Sequence, residues 1–342
     1  MSPLADGSIP ALDWGRAVAE AVADPLIVVG EGRILIANSA ARAVLGAWIE
    51  DQDVRLAIRH PAAVERLLGR DGSGGEVEIV GIGGPERRWT MSVTPFGEGY
   101  RAARFTDVSA ARAAEQVRVD FVANASHELR TPLATLIGFL ETLRDETARG
   151  DPATVERFIG IMEAEAQRMQ RLIDDLLSLS RIEATRFDAP AEAVALAPLA
   201  EEVRSNLQHL AGERGSEIRI EAAEDLPPVA GDRTELLQLV DNLVGNALRY
   251  GRKGRPVIVS LNRDGRMLHL AVRDEGEGIA AEHIPRITQR FYRVDAGRSR
   301  AAGGTGLGLA IVKHIVERHR GELEIESRLG EGTTAHVRLP IA

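Results

Sequence analysis

Cysteine is absent from the 342-residue chain. That excludes disulfides, thiolate metal sites, iron–sulfur clusters and a cysteinyl flavin photoadduct, and it fits a reducing compartment. Long apolar runs are missing as well. No stretch approaches the roughly 18 to 20 consecutive apolar residues that a spanning helix needs. Met1 to Leu12 lacks the basic and apolar regions of a secretory signal. The expectation is a cytoplasmic protein that meets a membrane, if at all, through a membrane-associated signalling partner. An excess of positive charge is also lacking. The formal charge is −9 and the pI is near 5.5, which argues against direct binding to nucleic acid. What is present, 44% hydrophobic and 27% charged residues, is the balance of a soluble globular chain. Its length suits two or three domains.

Three textures follow one another. Residues 13 to 109 alternate short apolar runs with glycine-containing turns. Leu26 to Val29 and Arg33 to Ala37 flank Gly30-Glu31-Gly32, the pattern of a hairpin. Ser39 to Gly46 is alanine-rich and reads as a short helix. Glu76 to Val80, Trp89 to Val93 and Arg101 to Phe105 read as later strands. The sum is a mixed α/β unit of sensor size. From 110 to 187, glycine and proline become scarce. Phe158, Ile161, Met162, Met169, Leu172, Ile173, Leu176 and Leu177 recur at helical spacing. Gly150-Asp151-Pro152 breaks this helix from an earlier one. An antiparallel hairpin buries its stripe poorly alone, and pairing into a dimeric four-helix bundle solves that. After a linker expected over Asp188 to Pro198, residues 196 to 342 read as an α/β sandwich. Its helices are expected at 199–211, 234–250 and 307–320. Its strands are expected at 257–262, 267–273, 321–327 and 334–339.

Four constellations carry chemistry. The first is the run from Phe121 to Leu133, with His127 and Thr131 one helical turn apart and Glu128 adjacent to the histidine. A phosphoryl-accepting imidazole needs one neutral nitrogen and a route for the proton on the other, and a neighbouring carboxylate offers that route. Pro132 removes an N–H just beyond and disturbs the helix. Spacing alone leaves a surface His–Glu pair equally open. The second is Glu235, Asn242, Asn246, Arg249 and Tyr250 on one helix. Asparagine is poor in a helix interior without a reason, and two amides facing one site can offer oxygen ligands to Mg²⁺. The alternative is a helix that buries Leu236, Leu239, Leu243 and Val244 and leaves its amides wet. The third is Asp274-Glu275-Gly276-Glu277-Gly278-Ile279 after an apolar strand. An aspartate there can accept from an exocyclic amine, and Gly276 and Gly278 allow close backbone approach. The fourth is Gly303-Gly304-Thr305-Gly306-Leu307-Gly308, which opens a helix as anion sites do. The lysine of a phosphate loop is absent. Arg298 and Arg300 stand upstream, within reach of phosphates.

Taken together and in order, these segments resemble the boxes of two-component sensor histidine kinases over residues 112 to 342. His127 to Pro132 is similar to the H box, Glu235 to Tyr250 to the N box, and Asp274 to Ile279 to G1. Arg290 to Asp295 is similar to the F box, Gly304 to Gly308 to G2, and Gly330 to Thr333 to G3. The resemblance implies a multidomain α+β protein: a dimeric four-helix-bundle hairpin followed by an ATP-binding sandwich of the gyrase and Hsp90 (Bergerat, GHKL) type. It implies ATP and Mg²⁺ as cofactors and a response-regulator receiver domain as partner. His127 would be the phosphoacceptor and Glu128 its acid/base partner, and Thr131 would help water attack the partner's phospho-aspartate. Asn246 would hold Mg²⁺ with Asn242 beside it. Arg249 would reach a phosphate, Tyr250 would line the nucleotide pocket and Asp274 would read the adenine amine. Gly276, Gly278, Gly304, Thr305, Gly306, Leu307, Gly308 and Thr333 would complete the site, and Arg293 to Gly304 would form the lid with Arg298 and Arg300. The chain departs from the pattern at Thr288-Gln289, at Ala335 and over Gly251 to Arg255. The N-terminal stretch resembles a PAS domain through Asp24-Pro25, the glycine hairpin, Asn38 and Phe105 to Ser109. Ile58 to Ala62 and Phe291 to Asp295 are similar to phosphate-regulon sensor kinases. Net phosphatase action on the same regulator, and a scaffold with a silent kinase domain, are the competing readings. The remaining histidines show no metal-ligand spacing.

Overall fold

The structure is a computed structural model that describes residues 11–69, 74–96, 99–144, 151–185, 187–294 and 304–342. Two compact units divide after Val122.

The N-terminal unit is built on a five-stranded antiparallel sheet. Its strands are β1 (Leu26–Gly30), β2 (Arg33–Ala37), β3 (Gly75–Val80), β4 (Arg88–Phe96) and β5 (Tyr100–Asp107), in the order β2-β1-β5-β4-β3. The expected hairpin forms because Gly30 pairs with Arg33 across a two-residue loop. Glu31 and Gly32 hold φ of 49° and 80°, the positive pair that a tight hairpin turn requires. Helices α1 (Ala11–Glu20), α2 (Ser39–Leu45), α3 (Val54–Ala57) and α4 (Pro61–Leu68) accompany the sheet. Ile27, Ile34, Ile49, Met91 and Phe105 form the core with Ala41, Val54 and Leu67. Asn38 organises one end of it. This fully buried amide accepts from the N–H of Leu26 at 2.9 Å and of Ala41 at 2.8 Å. It also donates to the carbonyls of Val22 and Asp24. The end of α1, the start of β1 and the cap of α2 therefore share one side chain.

The helix α5 (Ser109–Arg144) has 36 residues and α6 (Pro152–Ala184) has 33. Pro132 is buried within α5, which continues past it without a break. Asp151 caps α6 by accepting from Ala153 N–H, and Pro152 takes the first turn, where its missing N–H has no helical partner to lose. The Phe139 and Phe158 rings meet at 4.9 Å and join the two helices. The buried side of α6 carries Leu172, Leu179 and Ile182, as amphipathic spacing predicts, and also Arg168.

The remaining segment folds as the expected sandwich. Strands β7 (Ile218–Ala222), β9 (Val257–Asp264), β10 (Met267–Asp274), β11 (Glu322–Arg328) and β12 (Gly332–Pro340) lie in the order β11-β12-β10-β9-β7, with β7 parallel to β9. Helices α7 (Leu196–Asn206), α8 (Gln208–Glu213), α9 (Arg233–Tyr250) and α10 (Gly308–Arg318) supply the second layer. Leu236, Leu239, Leu243, Ile311 and Ile315 are buried with Leu268, Leu270, Val337 and Leu339. Two expectations need correction. The span 188–198 is not a plain linker: β6 (Glu192–Val194) pairs there with β8 (Val229–Gly231), and α7 begins at Leu196. A three-residue strand carries no readable period, and its partner lies far along the chain. The helix expected over 199–211 is two helices, because Leu207 leaves helical geometry at ψ 3°.

Candidate active site

Helix α5 sets His127, Glu128 and Thr131 within one turn and a half, and the Thr131 hydroxyl donates back to the His127 carbonyl at 3.3 Å. The carboxylate of Glu128 is the meeting point of three elements. Its Oε2 accepts from Arg168 Nη2 of α6 at 2.9 Å and from Arg293 Nη2 at 3.1 Å. The same Arg293 nitrogen donates to the Gly304 carbonyl at 2.8 Å. A continuous polar path thus runs from the glycine loop before α10 to the carboxylate next to His127.

A cavity of about 290 Å³ opens beside the histidine, lined by Asn124, His127, Glu128, Arg286, Gln289, Arg290, Phe291 and Tyr292. Tyr292 is held from two sides. Its hydroxyl meets His283 Nδ1 at 2.7 Å, and the Arg286 guanidinium lies 4.5 Å from its ring centre. Phe291 takes φ 62°, a strained value for a bulky residue, and its N–H donates to the Gly306 carbonyl at 2.8 Å.

The second half of the site is built where α9, the end of β10 and two glycine segments converge. Asp232 caps α9 by accepting from the N–H of Thr234 and Glu235, and this starts the helix that spaces Asn242, Asn246 and Tyr250 one turn apart. Asn242 donates to the Gln238 carbonyl at 3.0 Å. A Cβ at Gly308 would lie 2.7 Å from Asn242 Oδ1 and 3.8 Å from Asn246 Nδ2, so only glycine lets the loop reach these amides. Asp274 is buried and accepts from Gly276 N–H at 2.7 Å. Burial pushes its carboxyl up, against the lowering effect of the Gly276 and Thr333 N–H groups. A Cβ at Gly276 would lie 2.5 Å from the Tyr250 carbonyl, and one at Gly332 would lie 2.1 Å from the Asp274 carbonyl. These contacts bring Tyr250, Asp274, Gly276 and Thr333 into one cluster. Gly278 and Gly306 hold φ of 70° and 76°. Tyr250 is half exposed.

The glycine loop also reaches the hairpin. Thr305 Oγ1 donates to Asp175 Oδ2 of α6 at 2.7 Å and accepts from Leu307 N–H at 3.3 Å. Burial pushes the Asp175 carboxyl up, opposed by the Thr305 hydrogen bond and by Arg249. Arg249 acts electrostatically on Asp241 too. Arg298, Arg300 and Gly303 lie outside the described residues. Arg168 and Asp175 are not among the residues singled out from the sequence. Their signal is a polar residue at a stripe position: Ile161, Glu165, Arg168, Leu172, Asp175 and Leu179 follow the three-four spacing of one helix face.

Comparison with known proteins gives this geometry a lineage. Residues 117–185 match the family model for the His Kinase A (phospho-acceptor) domain. Residues 231–342 match that for the Histidine kinase-, DNA gyrase B-, and HSP90-like ATPase. The Phosphate regulon sensor protein PhoR of Pseudomonas aeruginosa is 37% identical over 318 residues, covering 92% of this chain and 71% of PhoR. The chain belongs to the two-component sensor histidine kinases. It is therefore a protein histidine kinase that uses ATP. The sensor histidine kinase WalK of Bacillus subtilis is 37% identical over 240 residues, and this chain spans 38% of WalK's length. SenX3 of Mycolicibacterium smegmatis is 39% identical over 229 residues, with 58% of its length spanned. Among solved structures, histidine kinase ThkA in complex with response regulator protein TrrA shares the fold. Its TM-score is 0.54 at 18% identity, over 95% of this chain and 98% of that one. Among the described residues, no helix of this kinase is long and apolar enough to cross a membrane.

Proposed function

We propose that this kinase phosphorylates its own His127 from ATP and passes the phosphoryl group to an aspartate of a response-regulator receiver domain. The observation that carries the reading is the path from Gly304 through Arg293 to Glu128, which ties the nucleotide loop to the residue next to His127. One imidazole nitrogen attacks the γ-phosphorus and ADP leaves. The proton on the other nitrogen passes to the Glu128 carboxylate, whose Oε2 is held by Arg168 and Arg293 while Oε1 stays available to accept it. Asp274 reads the adenine amine, and Tyr250, Gly276, Gly278 and Thr333 shape its surroundings. Arg249, Asn242 and the loop Gly304, Thr305, Gly306, Leu307 and Gly308 face the phosphates, with Arg298 and Arg300 in the lid. Asn242 Oδ1 and the Asn246 amide lie beside Gly308; an amide oxygen suits a hard cation, and Asn246 would hold Mg²⁺, which neutralises phosphate charge when bound.

Residues 13–109 serve as a PAS-like sensor, 110–187 as the dimerisation and phosphotransfer hairpin, and 196–342 as the ATP-binding domain. Helix α5 follows β5 closely and contains His127, so a change in the sensor shifts the population of hairpin states. The likeness to PhoR favours phosphate-responsive signalling. Thr131, exposed one turn from His127, supports a second activity: removal of the phosphoryl group from the partner. Incubation with γ-labelled ATP tests the main reading. His127→Gln should take up no label while binding nucleotide normally, and label retained on that variant would sink the assignment. Transfer profiling against a panel of receiver domains should show rapid, selective transfer to a phosphate-responsive regulator.

A further inference from the structure

We infer that Arg168 is a positioning residue for phosphoryl transfer, holding the Glu128 carboxylate from the second helix of the hairpin. Arg168 occupies a stripe position of α6, in helical register with Leu172, Leu179 and Ile182, and shares their burial. A guanidinium is a poor choice there for stability, because an apolar side chain of similar volume packs at least as well as a buried ion pair. Its placement is explained by what it touches. Nη2 donates to Glu128 Oε2 at 2.9 Å, and Nη1 lies 3.7 Å from Glu165 Oε2. That Glu165 oxygen is buried without a hydrogen-bond partner. The guanidinium thus sits between two carboxylates, one beside the phosphoacceptor and one on its own helix.

The geometry distinguishes Arg168 from the other arginine on Glu128. Arg293 comes from the nucleotide-binding segment and is shared with the Gly304 carbonyl, so its bond lasts only while that segment is docked. Arg168 belongs to the hairpin itself and keeps its bond when the ATP domain withdraws. Both arginines take Oε2, and among the described residues no donor takes Oε1. Arg168 therefore fixes the rotamer of Glu128 and leaves one oxygen for the imidazole proton. It touches neither substrate nor His127 and acts through Glu128. The inference rests on the reading of Glu128 as the acid/base partner.

The test is a double-mutant cycle in the full chain, measuring kcat and KM for ATP in autophosphorylation, with nucleotide affinity read by a fluorescent ATP analogue. Arg168→Met should lower kcat about tenfold or more with KM and nucleotide affinity little changed. Arg168→Lys should recover part of the loss. In a Glu128→Gln background, Arg168→Met should change kcat by less than about twofold, because the group it positions is gone. Full additivity of the two substitutions, an unchanged kcat in Arg168→Met, or a loss confined to KM would overturn the inference while leaving the Glu128 reading intact. An unchanged rate in Glu128→Gln alone would instead sink the acid/base reading, and the inference with it. Should Arg168→Met fail to fold, the cycle of Arg168→Lys with Glu128→Gln carries the same comparison.

Discussion

Gly278 and His319 show how much depends on one residue. Gly278 holds φ 70°, and a Cβ there would lie 1.9 Å from the Arg328 carbonyl. Alanine would meet both backbone strain and a collision with main chain, which cannot swing aside as a flexible side chain would. Gly278→Ala should weaken ATP binding by more than about tenfold in a nucleotide titration. His319 is fully enclosed. Its Nδ1–H donates to the Ile315 carbonyl at 2.8 Å and its Nε2 accepts from Asp232 N–H at 3.0 Å, which keeps the ring neutral. Burial lowers its pKa from 6.5 despite Glu235 and Asp232 nearby, while Arg318 adds to the lowering. The unfolded chain then binds a proton that the folded chain refuses once pH falls below 6.5. Stability from this residue is present above that pH and is lost as pH drops toward the folded value. Thermal unfolding from pH 7.5 down to 5.5 should show that loss in the ATP-responsive transition. His319→Gln should flatten the slope, and an equal slope in both proteins would remove His319 as its source.

At the scale of elements, α6 is the structural hub. Its apolar stripe closes the hairpin, and its polar positions hold the ATP domain. Ser178 donates to Gln238 at 2.6 Å, Asp175 accepts from Thr305, and the Thr185 carbonyl accepts from Arg318. Glu183 pairs with Arg290 and lies 3.5 Å from His314 Nε2. The two roles separate by mutation. Leu179 is fully buried, so Leu179→Ala should destabilise the fold by about 2–5 kcal/mol in chemical denaturation. Asp175→Ala should leave the hairpin folded and release Thr305. Hydrogen exchange should then quicken at residues 304–307 and stay unchanged at the centre of α6. Unchanged exchange in the loop would show that the Asp175 contact does not restrain it.

At the scale of the molecule, the hairpin leaves Leu133, Ile137, Leu140, Ile173 and Leu177 between 40% and 53% exposed. A second hairpin laid on this stripe would complete a four-helix bundle. Paired substitution of Ile137 and Leu177 by glutamate should yield monomers by light scattering, and a retained dimer would place the interface elsewhere. The longer strands and the long helices were legible in the sequence because period-two and period-3.6 patterns are local. Box order also made the family legible, through residues whose spacing is local to each segment. The strands β6, β7 and β8, the break at Leu207 and the partners of the Glu128 carboxylate were not legible. Arg168 stands 40 residues from Glu128 and Arg293 stands 165 away, and no local pattern links them. The sequence by itself determined where the long helices, the longer strands and the glycine loops form, since propensity and steric limits act over a few residues. Only the tertiary structure decided that the buried Arg168 of α6 meets Glu128 of α5 and that the loop residue Thr305 meets Asp175, because long-range packing selects which polar groups leave water together.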